Sequence, residues 1–229
     1  MLRFVVEFTQ LNKQLNKHTF MNPFHFSPIY LASQSPRRAQ LLDLIGVAHE
    51  VYRPDDAAYA ETLEAEIAGE SPHNYVQRVA RLKATYAAQS LAKLPLVGRP
   101  ILCADTTVAL DDLILAKPVD ATDAARMLRL LSGRTHQVHT AVAIAHAGGM
   151  LEACVTSEVT FKELSQADIN AYIQSGEPFG KAGAYAIQGI GAMFISHLSG
   201  SYSAVMGLPI FEVSQMLKNV QLDDHGKAL

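Results

Sequence analysis

The chain has 229 residues, of which 49% are hydrophobic and 18% charged, so it can build a substantial core and is not disordered by composition. A formal net charge of −3 argues against nucleic-acid binding by bulk electrostatics, and any phosphate site must be local, made by a few placed cations. No apolar run approaches the ~20 residues of a membrane span, so neither a nucleic acid nor a membrane is an expected partner.

In chain order, residues 1–26 are mildly apolar and basic but lack the apolar core and small-residue cleavage site of a signal peptide. They are predicted to be an extension outside the fold, with Met21 a candidate alternative start. A strand is predicted to begin at Ile29. It leads through Leu31-Ala32-Ser33-Gln34-Ser35-Pro36-Arg37-Arg38 into a helix that ends at Ile45-Gly46. Ser35 suits the N-cap and Pro36 the first helical position, where its missing N–H costs nothing. That turn aims backbone N–H groups, hydroxyls and guanidiniums at one small volume, which suits phosphate; the same residues also suit an ordinary capped helix with solvated arginines.

Residues 52–70 are acidic and small, with Asp55, Asp56, Glu61, Glu64 and Glu66, and are predicted to be a loop or short helix. From Ser71-Pro72 a helix carries Tyr75, Val76, Val79, Leu82 and Tyr86 at helical spacing, with Arg78, Arg81 and Lys83 on other faces. Ile101 to Leu110 is a buried strand interrupted by Asp105-Thr106-Thr107, followed by a turn at Asp111-Asp112. Asp120 can cap a helix through Leu131. Strands are predicted over Val138–Ala145 and Val155–Phe161, a helix from Ser165 with Asp168 to Ser175-Gly176, a glycine-rich section over Gly180–Gly207, and a last helix from Pro209 to Lys218. The alternation of short strands with amphipathic helices points to an α/β class. Cys103 and Cys154 lie in apolar runs without CxxC spacing and are expected to be buried free thiols of a reducing compartment.

Several residues could carry chemistry. Asp105 is costly to bury unless it is paired, hydrogen-bonded or bound to metal; it suits a metal ligand, a general base, or a structural Asp bonding nearby backbone. Pro118 fixes the backbone behind Lys117, a compact charge suited to phosphate. In Lys181-Ala182-Gly183-Ala184-Tyr185-Ala186-Ile187-Gln188-Gly189, small residues allow close ligand approach and Gln188 offers a donor and an acceptor, as reading a base edge requires. His136 and His139 invite a zinc reading, but an offset of three in a strand puts them on opposite faces.

As an ordered set, Ser33-x-Ser35-Pro36-Arg37-Arg38, Ala104-Asp105-Thr106, Lys117-Pro118, Leu131-Ser132-Gly133-x-Thr135, Lys181-Ala182-Gly183-x-Tyr185-x-Ile187-Gln188-Gly189 and Gly207-Leu208-Pro209 resemble the Maf family of nucleotide pyrophosphatases over about Ile29 to Leu217. The resemblance implies a two-lobed α/β fold, a mixed sheet with flanking helices and a central cleft, similar to the inosine-triphosphate pyrophosphatases. A single such unit is expected over residues 27–222, followed by a short tail at 223–229. It also implies a metal-dependent enzyme, using Mg2+ or Mn2+, that cuts nucleoside triphosphates between the α and β phosphates. Arg37, Thr106 and Gln188 match the positions associated with pyrimidine choice in the dTTP/UTP branch. By resemblance Asp105 is the proton acceptor, while Ser33, Arg38, Lys83 and Lys117 match positions of phosphate binding or catalysis, and Lys181 joins them as substrate-binding. Asp105 with Asp56 or Glu61 is the expected metal set. The loop from Arg53 to Glu61 is longer than in the family, so the second ligand stays open. A homodimer in the cytoplasm is implied as well. The competing reading is a nucleotide-binding regulator of cell division without essential catalysis.

Overall fold

The computed structural model describes residues 24–54, 59, 62–93 and 98–220. Strand β1 (Ile29–Leu31), helix α1 (Pro36–Leu44), β2 (His49–Val51), α2 (Pro72–Leu91), β3 (Ile101–Leu110), β4 (Leu113–Leu115), α3 (Ala121–Leu131), β5 (Thr135–His146), β6 (Gly149–Phe161), α4 (Gln166–Gln174), β7 (Ile195–Ser199), α5 (Tyr202–Met206) and α6 (Ile210–Lys218) follow in order. Short 3-10 turns at Ala182–Ala184 and Ile190–Phe194 lie between α4 and β7. The strands form one sheet in the order β2-β1-β3-β5-β6-β7, with β4 paired to β3. Pairing is parallel from β2 to β1 to β3 and antiparallel beyond. No helix among the described residues is long and apolar enough to cross a membrane.

The period-two alternation of a strand explains the layers. Ile101 and Cys103, with Tyr30, Ala141 and Ala143, face α2 and pack on Val76, Val79 and Ala80. The intervening Leu102 and Ala104, with Ile29, Leu31, Val142 and Ile144, face the other way, onto Leu41 and Leu42 of α1 and Val213 and Leu217 of α6. Both faces are therefore covered, which accounts for the unbroken apolar run in this part of β3. The distal ends of β3, β5 and β6 pass into a second lobe, whose core joins Val108, Leu115, Val138 and Phe161 to Leu128 and Leu131 of α3 and to Ile169 and Tyr172 of α4.

Local signals agree with these elements. The Asp120 side chain accepts from Asp123 N–H at the head of α3, and Ser165 and Asp168 form a reciprocal capping box on α4. Ser35 does occupy the N-cap with Pro36 behind it, but its hydroxyl makes no cap hydrogen bond. The hydroxyl acting there is that of Ser33, which accepts from Ser35 N–H at 3.2 Å. Three expectations need correction. Leu82 lies off the buried face of α2 and is 37% exposed; Cys154 is half-buried rather than buried; and the glycine-rich section contains β7 and α5. Strands β2 and β4, three residues each, were too short to show a periodicity. At the other end of the fold, Phe26 packs against the core shared by α1 and α6, and the Lys218 ammonium lies over the Phe24 ring.

Leu128 is fully buried in the second core. Leu128→Ala is expected to lower the unfolding free energy by about 2–5 kcal/mol through lost transfer energy and the remaining cavity. Ser165→Ala, which removes only half of a capping box, is expected to cost about 1 kcal/mol. Urea unfolding of both variants checks the order, and equal midpoints would contradict this account of the second lobe.

Candidate active site

The site begins with a gap in the sheet. β1 pairs with β3 at Ile101 and Leu102, and β4 pairs with the same edge only from Val108 to Leu110. Between them, residues 103–107 pair with β5 alone, and a cleft of about 810 Å³ opens beside them. Asp105 and Thr106 are the two positions where the burial of β3 is interrupted. Asp105 sits at mid-strand, as the predicted span of this strand implied, on an edge left open because its partner strands stop short.

Successive side chains of β3 leave in opposite directions, so Asp105 and Thr106 reach different partners. Asp105 turns toward α2, where Lys83 Nζ donates to its Oδ1 at 2.7 Å and to Glu64 Oε1 at 2.6 Å. Burial disfavours the Lys83 charge, but Asp105 and Glu64 outweigh it and hold the ammonium above its ordinary pKa. Lys83 is thus a cation at neutral pH and cannot serve as a base. Burial likewise works against the Glu64 carboxylate, yet Lys83 keeps it below the usual range.

Thr106 turns toward α1 and α5. Its hydroxyl receives Arg38 Nη2 at 3.4 Å and the Thr140 hydroxyl at 3.1 Å. Arg38 is fixed on two further sides, donating from Nη1 to Ser33 Oγ at 3.0 Å and from Nε to the Gly207 carbonyl at 2.8 Å. Gly207 ends α5 at φ 118, a conformation that favours glycine, and this turn aims its carbonyl at Arg38 while Leu208 enters the first core. Burial lowers the Arg38 pKa and Asp105 opposes the shift; a guanidinium remains charged regardless.

Arg37 and Lys117 also line the cleft, and among the described residues neither has a hydrogen-bond or ion-pair partner. Lys181 lines it too, though its ammonium is tied to the carbonyls of Glu177 and Phe179 at 2.6 and 3.4 Å. Gln188 lies on the cleft wall, exposed. All nine predicted residues outside the acidic loop, Ser33, Arg37, Arg38, Lys83, Asp105, Thr106, Lys117, Lys181 and Gln188, therefore share one cleft. Among the described residues, six cationic side chains and two carboxylates line it, an excess of four positive charges in a chain whose net charge is −3.

Asp56 and Glu61 lie outside the described residues. Among the described residues, the acidic side chain from that loop that reaches the cleft is Glu64, which no spacing or motif separates from its neighbours. What positions it is α2: Arg78 donates to the Leu63 and Ala65 carbonyls at 3.5 and 2.9 Å, and Tyr75 OH donates to the Glu64 carbonyl at 2.9 Å. Among the described residues, no group of three or more His, Cys, Asp or Glu side chains has metal-holding geometry. The pair Glu64 and Asp105, bridged by one ammonium, does suit a hard cation that takes one or two carboxylates and keeps its waters. His136 and His139 do lie apart: His136 Nε2 is 2.8 Å from Tyr185 OH in the second core, and His139 Nδ1 is 2.9 Å from Thr156 Oγ1. Burial pushes the His136 pKa down to about 4, so it is a neutral core residue.

Three proteins named dTTP/UTP pyrophosphatase are similar to this chain. The one from Albidiferax ferrireducens is 54% identical over 191 residues, 83% of this chain and 96% of its own length. Those from Polaromonas sp. and Ralstonia nicotianae are 53% and 55% identical, covering 83% and 82% of this chain and 94% and 92% of theirs. Among solved structures, the Staphylococcus aureus Ham1 protein aligns at a TM-score of 0.41 with 14% identity, over 59% of this chain and 72% of that one. The family model described as Maf-like protein matches residues 28–220, and with relatives at this level of identity the chain belongs to the Maf family.

Proposed function

We propose that this protein is a nucleoside triphosphate pyrophosphatase that hydrolyses dTTP and UTP to the monophosphate and pyrophosphate, removing such nucleotides from the pool. One observation carries the reading: a carboxylate clamped by an ammonium, Asp105 on Lys83, faces a cleft in which the cations Arg37 and Lys117 have no described protein partner. A triphosphate carries about four negative charges, which matches the local charge excess. The names of the relatives support the choice of substrate.

In this reading Arg38, preset by Ser33, Thr106 and the Gly207 carbonyl, binds phosphate oxygens with little loss of side-chain freedom, and Lys117 adds a second cation to them. Asp105 accepts the proton of the attacking water as the new P–O bond forms and the α–β phosphoanhydride breaks, with pyrophosphate leaving. Lys83 holds the Asp105 carboxylate in place through the 2.7 Å contact to its Oδ1. Glu64 and Asp105 would hold the divalent ion, which when bound supplies charge neutralisation on the phosphates and a more acidic water. Gln188, with both a donor and an acceptor, reads the uracil or thymine edge, with Arg37 and Thr106 as its companions in that choice. A homodimer and a cytoplasmic location belong to the same proposal as implications of family membership.

Pyrophosphate release measured on dTTP and UTP with Mg2+ or Mn2+ tests the activity. Asp105→Asn is expected to reduce kcat by about 10²–10⁴-fold, and wild-type behaviour of this variant would defeat the assignment. Glu64→Gln is expected to raise the metal concentration for half-maximal rate by about 10–100-fold, read as a shifted metal titration; an unmoved titration would remove Glu64 from the metal set. Arg38→Ala should lower kcat/KM for every triphosphate alike, whereas Gln188→Ala should mainly reduce the preference for pyrimidines, by about tenfold or more.

A further inference from the structure

The segment carrying Gln188 is bracketed by contacts that lie outside the cleft. Glu177, just beyond α4, turns its carboxylate under this segment: Oε1 accepts from Gly191 N–H at 2.9 Å and Oε2 from Ile190 N–H at 2.9 Å. Tyr172 in α4 is buried, donates its hydroxyl to Glu177 Oε1 at 2.8 Å and accepts from Ala186 N–H at 3.2 Å. Three backbone N–H groups on either side of Gln188 are thus held by one carboxylate–phenol pair. The approach is close. A Cβ at Gly189 would collide with the Glu177 carboxylate, and one at Gly191 would lie 2.7 Å from the Tyr172 oxygen. The Gln188 side chain itself is exposed and has no described partner, so its direction is set by its backbone.

We infer that Glu177, supported by Tyr172, is a positioning residue for nucleobase discrimination, holding the Ala186–Gly191 backbone so that the Gln188 amide meets the base edge. The inference rests on the base-reading role of Gln188 proposed above. Glu177 is not on the cleft wall and touches no substrate atom. Its backbone carbonyl, not its side chain, accepts from Lys181 Nζ, so a side-chain substitution leaves that cation anchored. Ordered hydrogen bonds to an ionised carboxylate are stronger than neutral ones, and their loss frees the segment. A loose segment presents Gln188 in many directions and loses the selective contact while the reacting phosphorus is unaffected.

Glu177→Gln keeps the shape but sets an amide NH2 against the Ile190 N–H. Tyr172→Phe removes the phenol and leaves a ring of the same size. Each is compared with wild type and with Gln188→Ala in kcat and KM for UTP, dTTP, GTP and ATP, with thermal unfolding checked and amide hydrogen exchange followed over residues 186–191. The expected result is a pyrimidine-over-purine ratio of kcat/KM reduced about tenfold, through KM for UTP and dTTP, with kcat within about twofold and exchange faster at 186, 190 and 191. Equal losses on all four nucleotides, or slow exchange and an intact ratio in both variants while Gln188→Ala loses it, would overturn the inference and leave the Gln188 assignment standing. An intact ratio in Gln188→Ala would instead refute the base-reading role, and the inference would fall with it.

Discussion

Asp105 sits in a strand whose flanking positions are core, and a carboxylate taken out of water there is unfavourable unless a cation meets it. Lys83 meets it, and Glu64 approaches the same ammonium from a different segment. That arrangement joins three parts of the chain far apart in sequence: the acidic loop, the middle of α2 and the middle of β3. It also sets protonation states. The lysine is held cationic by two acids, and its charge in turn holds the Glu64 carboxylate below the usual range. Removing either partner would leave an uncompensated charge in a poorly solvated place.

The open space next to this pair is a consequence of strand lengths. β1 and β4 are three residues each and leave the middle of a ten-residue strand unpaired on one edge. In most sheets such an edge is covered or paired; here the Ser33–Arg38 turn and the 181–188 segment form the walls instead. Each wall is fixed from behind. Arg38 bridges the Ser33 turn to Thr106 and the Gly207 carbonyl, and Gly183 fits against Val108 where a Cβ would lie 2.7 Å from a methyl group. Cations fixed on rigid elements bind a polyanion with less ordering cost than free side chains do.

Much of the fold could be read from the residues. The span of β3, the cap of α3 at Asp120, the capping box at Ser165 and the start of the last helix behind Pro209 all follow from local chemistry. The misreadings have equally local causes. β4 is too short for a pattern. Leu82 follows the helical spacing yet has no neighbouring layer to cover it. β7 lies in a section where glycine and serine obscured any alternation. For the site, the residue types named in advance do converge, because motifs of fixed spacing place cations and small residues at the ends of predictable elements.

Glu64 shows where such reasoning stops. Several carboxylates share its loop, nothing in their spacing favours one, and the selection is made by Arg78 and Tyr75 reaching from a helix that follows it. Glu177 is a similar case, a turn residue whose importance comes from N–H groups more than ten positions later. The sequence by itself determined the α/β layers, the helix ends and the set of charged residues available for phosphate, since these depend on periodicity and on chemistry within a few residues. Only the tertiary structure decided which carboxylate shares the Lys83 ammonium and which backbone carries Gln188, because those choices depend on long-range packing that no local pattern encodes.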